Sequence, residues 1–579
     1  MKKFISSLLA FTMIMPFATG CGLGGGGNSS SEESWYSSEE VSSEEESEEE
    51  SSEEEESSEE EEDSSERESV EEEESSKDDE SEEESSKDDE SEEDSSKEEE
   101  SEEEEQSSKD DESVEEEESS KEEESSSEEA VDPTEEFLKP NAYAGQKLEI
   151  KAIDKGLGTA WLTTAARNFK RTYGAEITIT PDFDLNSRVS NLIMGTSKDA
   201  DVYFTFTTEM EWVNWYNNGK VYDLSDVSAG MVYRDSEYAK LGKYDNKRVI
   251  MPYVYPPTGF VYNQDLLEEI PSQGQYKKGE FPETWQGLLD LCDSIMENTD
   301  FEQAFTYGGA VGDISYIVKG LWAQIDPDGF KDYWNQPYRA NIDNEENKAL
   351  VVNSNVEMAM KKVVELIKPY KSGKNWKPWN AAASSVTMTN KEAQEQFVNR
   401  NCVFTISGAW FENEMKANLD GLTTPLNYHF AAPPLVNSKS KSTVFINSPS
   451  EYFVVAKNGK NNNPDLAKAF LLFLAQEKQA KTFHTTTGVP CAMEYEMPSG
   501  LNTFQQEIAD IAENAVSAIG ASDQLPSLGA LLAPSFDTMF KAFATSEISD
   551  TLIHDKLYDW YVNSQKKNWK NTMNQFPIK

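Results

Sequence analysis

Residues 148–180 read LEIKAIDKGLGTAWLTTAARNFKRTYGAEITIT and contain a helix pattern between two strand patterns. LEIKAI at 148–153 alternates apolar and polar residues, as a half-buried strand does. Residues 161–173 have helical periodicity and end before Gly174, and EITIT at 176–180 alternates again. A strand, a helix and a strand in this order predict a right-handed crossover between two parallel strands.

The same alternation continues along the chain. Residues 185–194 predict a second helix, and DVYF at 201–204 predicts a short buried strand. The fold class is therefore α/β with a mainly parallel sheet. Ligands of such sheets bind beyond the carboxyl ends of the strands, which places the loops 154–161 and 204–212 at a candidate site.

The N-terminus has the pattern of an export signal. Lys2 and Lys3 precede an apolar run of about fourteen residues, which is too short to span a bilayer core of about 30 Å. Ala18-Thr19-Gly20-Cys21 resembles the lipobox of bacterial lipoproteins. This resemblance implies removal of residues 1–20 and diacylation of Cys21. An ordinary secretory signal with a chance cysteine is the alternative.

Residues 21–136 have the composition of a disordered tether. Glycines dominate 22–28, and residues 31–130 contain 56 acidic and 6 basic residues. Such a segment repels itself and has little to bury, so we expect an acidic spacer without a fold. The decamer SSKDDESEEE at 75–84 recurs with small changes, but no repeat has an apolar face. Calcium binding by the acidic run is an alternative role.

The remainder, 137–579, has the composition of a folded secreted domain. Residues 131–579 contain 43 basic and 55 acidic residues, which is not basic enough for nucleic-acid binding. The length suits two lobes rather than one small core. Cys292, Cys402 and Cys491 are too widely spaced for a zinc ribbon or a redox pair, and their odd number leaves at least one free thiol.

Several short motifs occur in a defined order along this domain. They are ADV at 200–202, GKVYDL at 219–224, MPY at 251–253, FVYNQDLL at 260–267, FPETW at 281–285, FVNR at 397–400, ISGAW at 406–410, PDLAKAFLLFL at 464–474 and GVP at 488–490. Together they resemble the extracellular solute-binding proteins of ABC importers, in particular the sugar-binding family that includes maltodextrin binders.

This resemblance implies a two-lobe periplasmic-binding-protein-like fold of type II, with three hinge crossings. The crossings are expected near 255–260, near 448–455 and after about 505. One lobe would contain 146–257 and 453–505, and the other would contain 258–450 and 506–579. Several hinge strands let two rigid lobes close on a ligand.

A sugar-binding site needs aromatic rings for the apolar faces of the sugar and polar side chains for its hydroxyls. The 12 Trp, 23 Tyr and 27 Phe are weak evidence alone, because aromatic residues also fill cores. The resemblance places Trp410 on a sugar-stacking tryptophan and Asp313 near a hydrogen-bonding carboxylate of the family. The other candidates are Glu209 and Trp212 in the loop after the third strand, Tyr255 and Glu451 in hinge segments, and Trp379.

Two departures from the family pattern bear on specificity. Trp376 and Trp379 match no family motif, and packing on the second lobe remains an alternative role for both. Pro256 occupies the hinge position where maltodextrin binders have a carboxylate, and the first-lobe loop lacks their Trp and Asp. The proline at 256 and the changes in the first-lobe loop argue against maltose as the ligand.

The sequence has few features that are typical of an enzyme. His429, His484 and His554 are far apart and lack metal-ligand spacing, and neither a nucleophile elbow nor a phosphate-binding loop occurs. We expect no enzyme, metal or cofactor, although a carboxylate pair for glycoside hydrolysis stays open.

We predict a lipid-anchored receptor on the outer face of a Gram-positive-type cell membrane, which delivers an oligosaccharide to an ABC permease. The alternatives are a surface glycan-binding protein without import, the same fold with a peptide, polyamine or other polar ligand, and a hydrolase.

Overall fold

The computed structural model describes residues 132–310, 312–336, 345–367, 385, 387–448, 450–520, 539 and 550–575 of the 579. The export signal with Cys21, the acidic tether up to 131, and Trp376 and Trp379 lie outside the described residues.

The strands are β1 (Lys147–Ile153), β2 (Glu176–Asp182), β3 (Val202–Thr205), β4 (Lys243–Tyr244), β5 (Lys247–Arg248), β6 (Met251–Pro252), β7 (Thr258–Asn263), β8 (Phe305–Thr306), β9 (Phe404–Gly408), β10 (Tyr428–Ala431), β11 (Thr443–Ile446), β12 (Tyr452–Val455) and β13 (Val516–Ile519). The helices are α1 (Pro133–Phe137), α2 (Ala160–Tyr173), α3 (Leu185–Met194), α4 (Glu209–Asn217), α5 (Gln264–Leu267), α6 (Trp285–Asn298), α7 (Ile314–Ile325), α8 (Pro327–Asn335), α9 (Glu345–Ala349), α10 (Ser354–Ile367), α11 (Asn390–Val398), α12 (Phe411–Glu414), α13 (Lys416–Asp420), α14 (Pro464–Leu474), α15 (Glu477–Thr487), α16 (Thr503–Asn514), α17 (Asp550–Asp559) and α18 (Lys566–Gln575). Short 3₁₀ turns lie at Ser228–Gly230 and Tyr238–Lys240, and a π-helical segment at Trp560–Gln565 joins α17 to α18.

The first sheet has five strands in the order β2-β1-β3-β12-β6. β1 pairs in parallel with β2 and β3, as the sequence predicts, and α2 and α3 form the crossovers. α2 buries Trp161, Ala165 and Phe169 on one face and ends at Gly174, whose φ of +83° suits glycine. β12 pairs antiparallel with both β3 and β6, so a late segment of the chain completes this sheet.

The second sheet has four strands in the order β10-β7-β9-β8. β7 lies between β10 and β9 and is antiparallel to both, whereas β8 is parallel to β9. α6 follows the FPETW motif because the Thr284 side chain accepts a hydrogen bond from Gly287 N (3.1 Å) and caps the helix. A separate apolar core, which includes Trp285 and Trp322, packs around this sheet.

The chain passes between the two sheets at more than one point. It leaves the first sheet after β6, enters the second at β7, and returns to the first at β12. β11 and β13 form a further parallel pair, and Pro257 bridges to Ile446 beside it. The predicted number of hinge crossings and the predicted lobe boundaries remain predictions.

The described fold begins earlier than the domain start predicted at 137. Asp132 caps α1 by accepting a hydrogen bond from Thr134 N (2.8 Å), and Pro133 is buried. The Tyr143 hydroxyl donates to Phe137 O (2.9 Å), which ties this helix to the start of the first sheet. The predicted boundary between 136 and 137 therefore falls inside a helix that packs on the domain. No helix among the described residues is long and apolar enough to cross a membrane.

Candidate functional site

A cavity of about 480 Å³ lies where loops of the two sheets meet. This volume is in the range of small-molecule sites, roughly 300–1,000 Å³. Most of its walls come from the loops after β1, β3 and β9, from the segment 254–256, from residues 447, 450 and 451, and from the first turns of α7. Its lining residues are Lys155, Gly156, Leu157, Phe206, Thr207, Thr208, Val254, Pro256, Gly312, Ser315, Tyr316, Lys319, Asn390, Trp410, Glu414, Asn447, Ser450, Glu451 and Val489.

Two aromatic rings form one wall of the cavity. Trp410 and Tyr316 are half-buried and meet edge to face, with centroids 5.9 Å apart and an interplanar angle of 73°. Tyr316 also stacks on Phe445, at 6.2 Å and 14°, so packing fixes its orientation. Partly exposed rings held in this way offer apolar surface to a ligand without losing much conformational entropy on binding.

Two carboxyl groups face the same cavity. Glu414 Oε2 accepts a hydrogen bond from Gln394 Nε2 (2.8 Å), and Glu451 accepts one from the Ser450 hydroxyl. Burial raises the pKa of both carboxyls, and the charge of Glu451 raises the pKa of Glu414 further. The Gln394 hydrogen bond and the Lys155 amine oppose the rise at Glu414. Both carboxyl groups can form hydrogen bonds with the hydroxyl groups of a ligand.

Two amines balance these carboxyls. Lys155 Nζ donates to Asn186 Oδ1 (3.3 Å), and Lys319 Nζ lies 4.9 Å from the Phe445 ring centroid. Together with Glu414 and Glu451 they give the described part of the lining equal numbers of basic and acidic side chains. This balance suits a neutral polar ligand better than a polyamine or a strongly anionic ligand.

The loop after β3 contributes Thr207 and Thr208 to the lining of the cavity. The Thr207 and Tyr452 hydroxyls share a hydrogen bond, which links this loop to β12. Glu211 lies in the first turn of α4, and its Oε2 is buried without a partner among the described residues. Burial raises the pKa of Glu211 to about 7, against hydrogen bonds from Thr207 and Thr208 that lower it. A titrating carboxyl therefore lies next to the wall formed by these threonines.

The structure brings some of the predicted site residues to this cavity and places others elsewhere. Trp410 and Glu451 line it. Tyr255 does not, because its hydroxyl points to Ser517 Oγ (2.6 Å) while its neighbours Val254 and Pro256 form the wall. Trp212 is 1% exposed and belongs to the core of the first sheet.

Three other predicted residues have different outcomes. Asp313 is buried and accepts a hydrogen bond from Gly308 N (3.1 Å), so it orders its loop, whereas Gly312 and Ser315 line the cavity. Glu209 is the first residue of α4, directly after the lining residue Thr208. Trp379 lies outside the described residues.

Sequence reasoning missed Tyr316, Lys319 and Glu414. Tyr316 and Glu414 each lie one helical turn from a residue that it did consider: Tyr316 is three positions after Asp313, and Glu414 is four positions after Trp410. Lys319 lies one turn further along, three positions after Tyr316. Helical spacing places such residues on the same face, so this was the signal that could have found them.

A second surface concavity, of about 450 Å³, lies along α15 between Glu477 and Thr486. All the described residues that line it come from that one helix, and they include neither an aromatic ring nor a residue of either sheet. It is therefore not the candidate site.

The histidines and cysteines have structural partners or buried positions. His429 pairs with Glu507 (2.5 Å), His484 with the Tyr495 hydroxyl (2.8 Å) and His554 with Glu357 (2.6 Å). Cys292, Cys402 and Cys491 are free and buried, and burial raises the pKa of Cys402 and Cys491 to about 12. Within the described residues, no group of His, Cys, Asp and Glu side chains is arranged to hold a metal ion.

Comparison with known proteins gives one family and one fold. Residues 155–481 match the family described as bacterial extracellular solute-binding protein. No curated protein matches the chain significantly.

Among solved structures, a chitin oligosaccharide binding protein is similar, with 13% identity and a TM-score of 0.54 over 72% of this chain and 99% of that chain. Apo RafE from Streptococcus pneumoniae has 15% identity and a TM-score of 0.52 over 74% and 100%. The bacterial solute receptor AcbH, described as preferring b-D-galactopyranose exclusively, has 13% identity and a TM-score of 0.50 over 76% and 100%. These similarities establish a solute-binding-protein fold, as the sequence motifs predicted.

Proposed function

Because the chain belongs to the family of bacterial extracellular solute-binding proteins, we propose that it captures an oligosaccharide and delivers it to an ABC permease for import. The matched region, residues 155–481, covers more than half of the chain and contains every described lining residue of the cavity except Val489. The family is one of binding proteins, which agrees with the expectation that this chain is not an enzyme.

The aromatic wall of the cavity is the observation that carries the carbohydrate assignment. Trp410 and Tyr316 present half-buried rings beside Glu414, Glu451, and the threonine and asparagine side chains of the lining. Rings match the C–H faces of a sugar, and the polar groups match its hydroxyls. The equal numbers of lysine and glutamate side chains suit an uncharged ligand.

The structural neighbours support the same class of ligand. One of them binds chitin oligosaccharides, and another prefers galactopyranose. Their low sequence identity carries no information about which sugar this chain binds.

The position of the cavity supports a clamp mechanism. Lys155 and Thr207 come from loops of the first sheet, whereas Trp410 and Tyr316 come from elements packed on the second. A Cβ atom added to Gly156 would lie only 3.5 Å from Glu414 Oε1, so the two walls of the cavity are close together here. A sugar that contacts both walls binds the closed form better than the open form, and this difference in affinity drives closure.

We also propose that the protein is held at the outer face of the membrane by lipid on Cys21, with the acidic segment as a spacer. The proposal rests on the lipobox-like ATGC at 18–21 and on the Ser/Glu composition of 31–130. Metabolic labelling with an alkyne fatty acid should mark the wild type but not Cys21→Ser, which should appear in the medium. Retention and labelling of Cys21→Ser would refute the anchor.

A glycan array followed by calorimetry of the domain from residue 132 tests the carbohydrate assignment. The proposal expects saturable binding of at least one glycan, with polyamines and peptides inactive. Binding of those solutes with no glycan response would overturn it.

Uptake of the bound sugar by cells with and without the gene separates import from surface capture, and release of reducing sugar would identify a hydrolase.

A further inference from the structure

An exposed phenylalanine, Phe183, lies beside the rim of the cavity. Phe183 follows β2 and is 65% exposed, more than any other large apolar side chain among the described residues. Single exposed apolar side chains are common on protein surfaces, so exposure alone indicates no site. Its position relative to the cavity is what distinguishes Phe183.

Phe183 leaves the first sheet at the edge where the cavity loops begin. β1 and β2 are parallel, and Ile153 pairs with Asp182 at their carboxyl ends. Phe183 therefore starts next to the loop that contains Lys155. Lys155 lines the cavity, and its Nζ lies 4.8 Å from the centroid of the Phe183 ring. This cation–π contact joins the exposed ring to the cavity wall.

The loop that presents Phe183 is fixed on both sides. Asp182 accepts a hydrogen bond from Asp184 N (3.2 Å) and forms an ion pair with Arg188. Leu185, at the start of α3, is buried. A ring presented by an ordered loop costs little conformational entropy when a ligand stacks on it.

Lys155 also connects Phe183 to the aromatic wall. It precedes Gly156, whose ideal Cβ position lies 3.8 Å from Trp410 Cβ. The Lys155 amine is held between the Phe183 ring and Asn186 Oδ1. It can therefore donate to a hydroxyl of a ligand that extends from Trp410 towards Phe183.

We propose that Phe183 is an outer subsite that stacks on a second or later ring of an oligosaccharide whose first ring lies against Trp410. The inference rests on the proposed oligosaccharide function and adds to it the residue that would contact the second or later ring. A single ring against Trp410 occupies the inner position and leaves Phe183 unused.

Calorimetry with the one- to four-ring members of the chito-, galacto- and gluco-oligosaccharide series tests this subsite. Phe183→Ala should weaken binding of the longer members by about 3- to 10-fold and leave the one-ring sugar unchanged. Phe183→Trp should retain the affinity for the longer members. Val232→Ala removes another exposed apolar side chain, 53% exposed, and should change neither.

The possible results distinguish failure of the Phe183 subsite from failure of the proposed carbohydrate function. If Phe183→Ala binds every chain length as the wild type does, or if the wild type binds only one-ring sugars, the subsite is refuted and carbohydrate binding stands. If the wild type binds no member of any series and no glycan on the array, the proposed function fails and the subsite fails with it. Equal losses at all lengths would also overturn the subsite, because they would place Phe183 at the inner ring.

Discussion

The indole ring of Trp410 packs directly over Gly408. An ideal Cβ position at Gly408 lies 2.3 Å from Cζ3 and 2.4 Å from Cη2 of that ring, closer than real Cβ atoms approach. Gly408 ends β9, where its neighbour Ser407 pairs with Gly259 of β7. The glycine in the ISGAW motif is therefore a packing requirement, since it lets the tryptophan lie against the strand beside the cavity.

Gly408→Ala is expected to displace the indole without removing it. The added methyl group cannot share the space of the ring, so the affinity for sugar should fall by at least about tenfold. Gly320→Ala is the matched control, because its Cβ would lie no closer than 3.6 Å to any neighbour and alanine favours the interior of α7. Calorimetry of both variants measures the effect. Unchanged affinity of Gly408→Ala would show that the position of the indole does not matter.

Glu211 should make the stability of the domain depend on pH. Its pKa is about 7 in the folded state against an ordinary value of 4.5, so the folded state keeps a proton that the unfolded state has lost in this interval. The free energy of unfolding therefore falls as the pH rises from 4.5 to 7 and stays lower above it, by at most about 3 kcal/mol.

Glu211→Gln is expected to remove that fall, and denaturant unfolding at pH 5, 6, 7 and 8 measures it. Other buried carboxyls, such as Glu414 and Glu451, contribute equally to both proteins, so the difference between them isolates Glu211. Glu269→Gln, at an exposed position, is the control. Parallel curves for wild type and Glu211→Gln would refute the prediction.

Trp212 should act on stability and not on binding. It is 1% exposed in the core of the first sheet, so Trp212→Phe should lower the free energy of unfolding by about 1–2 kcal/mol. The folded fraction should bind sugar as the wild type does. Denaturant unfolding and calorimetry give the two values. A loss of affinity without a loss of stability would show that Trp212 belongs to the ligand site.

Removal of the acidic segment should leave the affinity in solution unchanged. The deletion is best made over 28–131, because α1 begins at Pro133 and Asp132 caps it. Calorimetry of the shortened protein should give the Kd of the full chain. A deletion that extends through 137 serves as the contrast, since it removes buried Pro133 and the Phe137 carbonyl that Tyr143 contacts. A large loss of affinity in the shorter deletion would show that the acidic segment takes part in binding.

The sequence predicted the backbone of the site better than its side chains. Alternation and helical periodicity located β1, α2, β2 and α3 to within two residues, because burial on one face of each element leaves that pattern in the sequence. The loops after β1 and β3 line the cavity as expected, since their place follows from parallel strand order.

Side-chain direction was harder to predict. Tyr255 and its neighbours Val254 and Pro256 lie in one segment, yet only the neighbours face the cavity. The partner that turns Tyr255 away, Ser517, is 262 positions further along the chain. Local pattern contains no information about such a contact. Helical spacing relates Tyr316 to Asp313 and Glu414 to Trp410, but only the fold shows that Tyr316 and Glu414 line the cavity while Asp313 does not.

The most direct test of the central claim is a calorimetric titration of wild type and Trp410→Ala with a sugar that the wild type binds. Trp410 is half-buried and lines the cavity, so its removal should abolish measurable binding while the melting temperature stays within a few degrees of the wild type. Equal affinity of the two proteins for the sugar would contradict the account, because the ligand would then lie away from the aromatic wall.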